Sequence, residues 1–224
     1  AVLLKTIFYG STIIQHFSFE LLCDGKIFFE GKSSFGYFSA EAMAGQAGLD
    51  GGKTVLPWLK QAGLEGQIVP LEGTILGKGL PHGKLRLLDG VAINNNAGNM
   101  QEGTVYANRR NTPQDWFYAC HFLEDPVMPG SLGIEAIVQA MKVFSQQKIN
   151  SDAGADFVTG QKMNWSYRGQ VLQHNRQMQV EVHFHKTQQI GLKKIFIGDA
   201  SLWADDSRIY ELRNLCLAVE DKQD

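Results

Sequence analysis

Cysteine is scarce in this chain, neither sign of charge prevails, and long apolar runs are missing. Cys23, Cys120 and Cys216 are scattered, odd in number and set among apolar neighbours. That argues against a disulfide framework and for buried free thiols in a reducing compartment, the cytoplasm. A net charge of −2 offers no electrostatic footprint for nucleic acid. No apolar stretch reaches membrane-spanning length, and Ala1-Val2-Leu3-Leu4, broken by Lys5 and Gly10, lacks the layout of a signal peptide. There is no initiator methionine, and the chain opens on apolar residues as though inside a fold. The 224 residues, 44% hydrophobic and 20% charged, have the composition of a soluble globular protein and suffice for one large domain or two small ones.

What is present begins with a hairpin. Residues 12–23 and 26–38 read as two strands joined at Asp24-Gly25, with Phe17, Phe19, Phe28, Phe29 and Phe35 among their aromatics. Two strands alone are marginal in water, so another sheet must complete them. From about Ser39 to Gly83, glycine and proline recur, and Ala40–Gln46 and Pro57–Gln61 read as short helical pieces in a connecting segment. Strands follow over 85–93 and 101–110, around an Asn94–Asn99 turn. Beyond a loop at Asp152–Ala155, further strands are expected near 157–168, 176–187, 191–203 and 208–219. Alternation is clearest in Val180-x-Val182-x-Phe184, which sets Glu181, His183 and His185 on the opposite face.

The stretch from Trp116 to Glu135 carries the chemistry. An aromatic run, His121, Pro126 and Pro129 precede a small-residue helix start, Gly130-Ser131. The spacing of Leu132, Ala136, Ile137, Ala140, Met141 and Phe144 predicts a helix from about Ser131 to Gln147. No charged residue lies between Glu135 and Lys142, so other structure should cover most of this helix. A carboxylate near the start of a buried helix is costly unless paired or working. Gln139, one turn beyond Glu135, is spaced to bond and orient it. The stretch thus offers a base, an acid, and N–H groups at a helix start.

His121-Phe-x-x-Asp-Pro-Val127-Met-Pro-Gly130-Ser131-Leu-Gly-x-Glu135-x-x-x-Gln139 resembles the active-site segment of the FabA-type β-hydroxyacyl-thioester dehydratases. These are hotdog-fold enzymes of fatty-acid synthesis, with related domains in polyunsaturated fatty-acid and polyketide synthases. The resemblance continues through Arg168-Gly169-Gln170-Val171-Leu172 and Val180–Phe184. FabA itself has aspartate at the place of Glu135, whereas the related FabZ type has glutamate, which keeps the acid and lengthens its reach. The resemblance implies an α+β hotdog, an antiparallel sheet wrapped around a central helix, as part of a double hotdog. Residues 1–38 are then expected to be the last strands of a preceding hotdog, 39–83 a linker, and 84–224 the hotdog carrying the motif. An internal echo points the same way: Asp24-Gly25-Lys26-Ile27-Phe28-Phe29-Glu30 resembles Asp206-Ser207-Arg208-Ile209-Tyr210-Glu211, 182 positions later.

The implied reaction is dehydration of 3-hydroxyacyl thioesters to trans-2-enoyl thioesters, with or without trans-2/cis-3 isomerisation. It needs a base, an acid and stabilisation of charge on the thioester oxygen. His121 suits the first, because imidazole titrates near neutrality. A protonated Glu135 suits the second, and the N–H groups at Gly130 and Ser131 suit the third. No metal or organic cofactor is required. By resemblance, Val127 and Gly130 adjoin the acyl thioester and Gln139 supports Glu135. The histidine and acid of one site come from different hotdogs, either upstream sequence or a second chain. The substrate arrives on the phosphopantetheine arm of acyl carrier protein, for which Arg168, Arg176, Lys186, Lys193 and Lys194 are candidate docking cations.

Other readings of these residues are weaker. Asp125 before Pro126 reads as a turn former. Ser131 lacks the flanks of a nucleophile elbow. His183-x-His185 has no Cys or carboxylate cluster to complete a metal site. Cys120 and His121, read as strand neighbours, face opposite ways and make no dyad. A hotdog acyl-thioesterase and a non-catalytic structural hotdog of a tandem pair remain as alternatives. The intact proline-glycine motif disfavours the first, and the presence of both His121 and Glu135 disfavours the second.

Overall fold

The computed structural model describes residues 1–96, 102–121, 124–150 and 154–220. The chain forms two units, Ala1–Gln46 and Ala47–Asp224.

Among the described residues the first unit is a three-stranded antiparallel meander: β1 (Val2–Tyr9), β2 (Thr12–Cys23) and β3 (Lys26–Tyr37). The hairpin read from the sequence is β2–β3, and β1 is an addition to it. Its apolar run does not alternate because the register slips at Leu4, between the pairs Leu3–Phe17 and Lys5–His16. Two-residue turns join the strands. Gly10 takes φ 58° in the first, and Asp24 and Gly25 take 49° and 74° in the second, the left-handed geometry that matches strand twist. Ring contacts Phe17–Phe35 (5.8 Å) and Phe19–Phe29 (5.6 Å) gather on one face of the meander. A short helix, α1 (Ala40–Ala44), follows, with the Ser39 hydroxyl accepting the Ala42 N–H.

In the second unit α2 (Trp58–Gln61), β4 (Val69–Pro70), β5 (Gly90–Asn94) and β6 (Thr104–Arg110) precede the long helix α3 (Gly130–Ile149). After it come β7 (Ala155–Phe157), β8 (Asn164–Tyr167), β9 (Gln177–Ile190), β10 (Lys193–Ala204) and β11 (Ser207–Glu220). Among the described residues these strands form one antiparallel sheet in the order β4-β5-β6-β9-β10-β11-β7, with β8 also on β11. α3 lies on one face. Its Phe144 stacks on Phe184 at 3.9 Å and meets Phe196 edge-on at 6.1 Å. Val180, Val182 and Phe184 are wholly buried in that core, while Glu181, His183 and His185 take the other face, as the alternation requires. This is the hotdog arrangement, a sheet wrapped around one helix.

The outer face is polar but partly closed. Glu181, almost fully buried, accepts the Trp58 and Leu59 N–H groups at 2.8 and 3.0 Å and pairs with His183 Nε2 at 2.9 Å. The start of α2 is thereby fastened to the centre of β9. Arg208 on β11 grips Asp50 through two bonds, and this guanidinium holds the Asp50 carboxyl below its ordinary range.

Several expectations need correction. β5 begins at Gly90 rather than 85, because Leu85 and Leu87 bond to a side chain of α3 instead of a strand. The strand near 157–168 is two short strands, separated by a turn with Gly160 at φ 74°. α3 starts at Gly130 and runs to Ile149, where Asn150 ends it in the left-handed conformation. All three cysteines are free, but only Cys216 is buried. Cys23 is exposed at the turn end of β2, and Cys120 is exposed after a 3-10 turn rather than on a strand. Phe122 and Leu123 of the motif, Ala97, Gly98 and Asn99 of the expected turn, and Asp152 and Ala153 of the expected loop lie outside the described residues. Among the described residues no helix is long and apolar enough to cross a membrane.

Candidate active site

The site is assembled from a pinned 3-10 turn, a short extended segment and the start of α3. Trp116–Ala119 form the turn, with Phe117 and Tyr118 buried. Several contacts fix it. Arg109 on β6 forks onto Asp115 at 2.7 and 2.9 Å and lies over the Phe117 ring at 5.4 Å. Burial alone would raise the Asp115 carboxyl, but the Arg109 fork and the Thr112 N–H hold it below its ordinary range. The Tyr118 hydroxyl donates to Asn111 Oδ1 at 2.8 Å, and Asn111 Nδ2 donates to the Leu172 and Asn175 carbonyls. Burial pushes the Tyr118 phenol up to about 12, so it remains a donor at neutral pH.

His121 follows this turn, half-buried, its N–H bonded to the Phe117 carbonyl. Its Nδ1 is 3.1 Å from the Val127 carbonyl oxygen. A carbonyl only accepts, so Nδ1 carries the proton and the lone pair of the neutral ring resides on Nε2. Val127 is itself buried and bridged to Leu172, and the Met128 N–H bonds to the Val171 carbonyl. The segment carrying the histidine's anchor is therefore docked on the Arg168–Leu172 stretch singled out in the sequence.

Pro129 then opens α3, and the first-turn N–H groups of Gly130 and Ser131 have no intrahelical acceptor. The positive end of the helix dipole adds to their attraction for negative charge. Tyr210 supports this start: its hydroxyl donates to the Gly130 carbonyl at 3.3 Å, and its ring fills the space above Gly133, where a Cβ would collide with it. Burial, together with neighbouring Tyr167, pushes the Tyr210 phenol far above its ordinary range.

Glu135 sits one turn in, half-buried rather than enclosed, and its Oε1 accepts from Gln139 Nε2 at 2.9 Å. Gln139 is fully buried; it also donates to the Leu85 carbonyl at 2.8 Å and accepts the Leu87 N–H at 3.0 Å. The backbone donor at Leu87 and acceptor at Leu85 fix which end of the amide faces Glu135. The predicted residues thus fall into two bonded pairs, His121 with Val127 and Glu135 with Gln139, with the Gly130-Ser131 helix start between them in the chain.

Sequence reading missed Asn111, Tyr118 and Tyr210, and the clamp on residues 85–87. Tyr210 is far from the motif in the chain and Asn111 lies just ahead of it, seven residues before Tyr118, and no local pattern marks either. Arg168, among the docking cations, is exposed on the stretch that pairs with Val127; Lys186 and Lys193 are exposed toward the β9–β10 hairpin end.

A sheet wrapped around one long helix, with a histidine and a carboxylate about the helix start, defines a hotdog-fold protein. Residues 80–213 match the FabA-like domain model, and the chain belongs to that family. It is 33% identical over 233 aligned residues to one of the subunits of the polyunsaturated fatty acid synthase of Thraustochytrium sp., an alignment covering 94% of this chain. The chain spans only 15% of that relative's length. Among solved structures, the dehydratase heterocomplex ApeI:P from Xenorhabdus doucetiae is 18% identical, covering 69% of this chain and 93% of its own at a TM-score of 0.42. A putative thioesterase from Shewanella oneidensis is 13% identical, covering 58% and 82% at 0.37. At these scores neither likeness bears on activity.

Proposed function

We propose that this domain dehydrates 3-hydroxyacyl thioesters, carried on acyl carrier protein, to trans-2-enoyl thioesters during the building of fatty acids, polyunsaturated ones included. The observation that supports this reading is the bond from His121 Nδ1 to the Val127 carbonyl, which puts the lone pair of the neutral imidazole on Nε2, the tautomer a general base at that atom requires. His121 Nε2 takes the α-proton, and the electron pair moves onto the thioester oxygen. The N–H groups at Gly130 and Ser131 stabilise that charge. As the pair returns to form the C2–C3 double bond, the C3–O bond breaks and a protonated Glu135-type acid delivers its proton, releasing water. Proton transfer from the imidazolium back to the carboxylate resets the site, so no metal or organic cofactor is consumed. The histidine and acid of one site come from different hotdog modules, and Arg168 is a candidate contact for the acidic carrier protein.

The test is incubation with 3-hydroxyacyl thioesters of graded chain length, following enoyl absorbance, thiol release and product geometry. Enoyl formation without thiol release is expected, and product geometry reports any cis-3 isomer. His121→Ala and Glu135→Gln should each lower dehydration by about 10²–10⁴-fold with the fold retained. Thiol release in place of enoyl formation identifies a thioesterase, and no turnover by the folded wild type identifies a structural hotdog.

A further inference from the structure

The short strand β8 carries an indole onto the start of α3. In its register with β11, Tyr167 lies opposite Tyr210 and Trp165 opposite Leu212. Residues paired across strands share a face. Tyr210 and Leu212 are buried in the core beneath α3, so both β8 aromatics face the helix side of the sheet. Their rings lie 5.9 Å apart, and each reaches the Tyr210 ring, Trp165 at 5.7 Å and Tyr167 at 4.8 Å. The benzo edge of the indole ends against Gly130. A Cβ at that residue would lie 3.5 Å from Trp165 Cη2 and 3.7 Å from Cζ2, in ordinary contact. Trp165 is therefore seated over the residue whose N–H opens α3. It differs from its neighbours in two ways. Leu212 is wholly buried, whereas Trp165 is 43% exposed. The Trp116 and Trp203 indoles donate to the carbonyls of Lys84 and Val55 and so tie segments together. Among the described residues the Trp165 N–H has no acceptor, so this indole makes no such tie. An exposed aromatic is ordinary on a surface; this one adjoins the N–H groups on which the thioester oxygen is placed.

We propose that Trp165 is a specificity-determining residue, its open indole face forming the wall on which the acyl chain lies next to the thioester. The inference rests on the dehydratase reading in one respect, that the thioester oxygen bonds the Gly130 and Ser131 N–H groups. A carbonyl held there sets its neighbouring carbons beside Gly130, where the indole already borders the space. The wall is built from three uncharged rings, and the Tyr210 hydroxyl is already bonded to the Gly130 carbonyl. Such a surface suits hydrocarbon better than the amides of a pantetheine arm. Each methylene moved from water onto an apolar surface is worth roughly fourfold in Kd. Tryptophan turns about only two side-chain bonds, so a ring held by two tyrosines selects chain shape instead of yielding to it. Phe157 supplies a contrast. It faces the same side from the same sheet edge, opposite Leu217, and is 56% exposed. Leu217 is five positions beyond Leu212 on β11. That is about 17 Å along the strand, so Phe157 is remote from the start of α3.

The test measures binding of unreactive substrate analogues to the 224-residue chain by titration calorimetry. In these analogues nitrogen replaces the thioester sulfur and the 3-hydroxyl is absent. Acetyl- and decanoyl-pantetheine amides share the arm and the carbonyl and differ only in the acyl chain. The wild type should bind the decanoyl amide more tightly. In Trp165→Val that amide should bind about tenfold more weakly, with the Kd of the acetyl amide unchanged. Trp165→Phe should keep most of the preference and Phe157→Val all of it. Should Trp165→Val fail to fold, Trp165→Leu, a larger replacement, reads the same ratio. Equal loss for both amides would assign the indole to the arm and overturn the inference. So would an unchanged ratio, or a wild type without chain preference. Matching losses in Trp165→Val and Phe157→Val overturn it too, because the whole aromatic edge then packs against protein. Chain preference lost in Trp165→Val, beside a folded wild type that never forms enoyl product, would refute the dehydratase reading and keep this wall. Enoyl formation with an unchanged ratio would do the reverse.

Discussion

The Gln139 amide donates to Glu135 Oε1 at 2.9 Å while its oxygen accepts the Leu87 N–H at 3.0 Å, so one buried side chain both aims the acid and holds the segment ahead of β5 beside it. Gln139→Leu keeps the volume and removes every bond. The Leu87 N–H and Leu85 carbonyl are then orphaned, at about 1–3 kcal/mol each. Denaturant unfolding should show that loss, and dehydration should fall with a changed pH–rate profile. A variant as stable as the parent would show that the clamp contributes nothing.

Gly133 and Tyr210 occupy one space. Gly133→Ala gains roughly 1 kcal/mol of helix propensity but forces a methyl into a fixed ring, an overpacking cost of about 1–3 kcal/mol. Net destabilisation is expected. Shortening the ring in Tyr210→Leu should relieve it, so the double variant should be more stable than the two single losses predict, by about 0.5–3 kcal/mol. Strict additivity would refute direct collision.

The Arg109–Asp115 pair beneath the His121 turn gives a pH dependence. The Asp115 carboxyl titrates below its ordinary value of 3.8 in the folded chain. The folded state therefore holds fewer protons there than the unfolded state, and stability from this group is complete above that value and lost as pH falls through the lowered one. Asp115→Asn should lower stability near neutrality by about 1–3 kcal/mol, the range for bonds to charged groups. Its acid-unfolding profile should be correspondingly flatter below pH 3.8. A variant with the parent's acid slope would assign the lowered value no role in stability.

Glu181, on the far face of the sheet from α3, bonds the start of α2. Glu181→Gln keeps one acceptor but turns an N–H₂ toward a backbone N–H, leaving a buried donor unmet at about 1–3 kcal/mol. Limited trypsin digestion should cut faster at Lys60, within α2, while dehydration is unaffected. Unchanged cleavage at Lys60 would mean that other contacts hold α2.

The sequence by itself determined the elements whose cause is local. The period of 3.6 in Leu132–Phe144 specified α3, the period of 2 in Val180–Phe184 specified the buried face of β9, and Asp24-Gly25 specified a hairpin. The Glu135–Gln139 bond was legible too, because a spacing of four on a helix leaves little freedom. Tertiary structure alone decided the rest. β1 escaped the pattern because its bulge at Leu4 breaks the alternation, and β5 started late because Gln139, about fifty residues away, competes for its backbone. Tyr210 joined the site through a contact 80 residues away in the chain, and Asn111, seven residues from Tyr118, ties the turn to Leu172, 61 residues on, separations at which no periodicity links the partners.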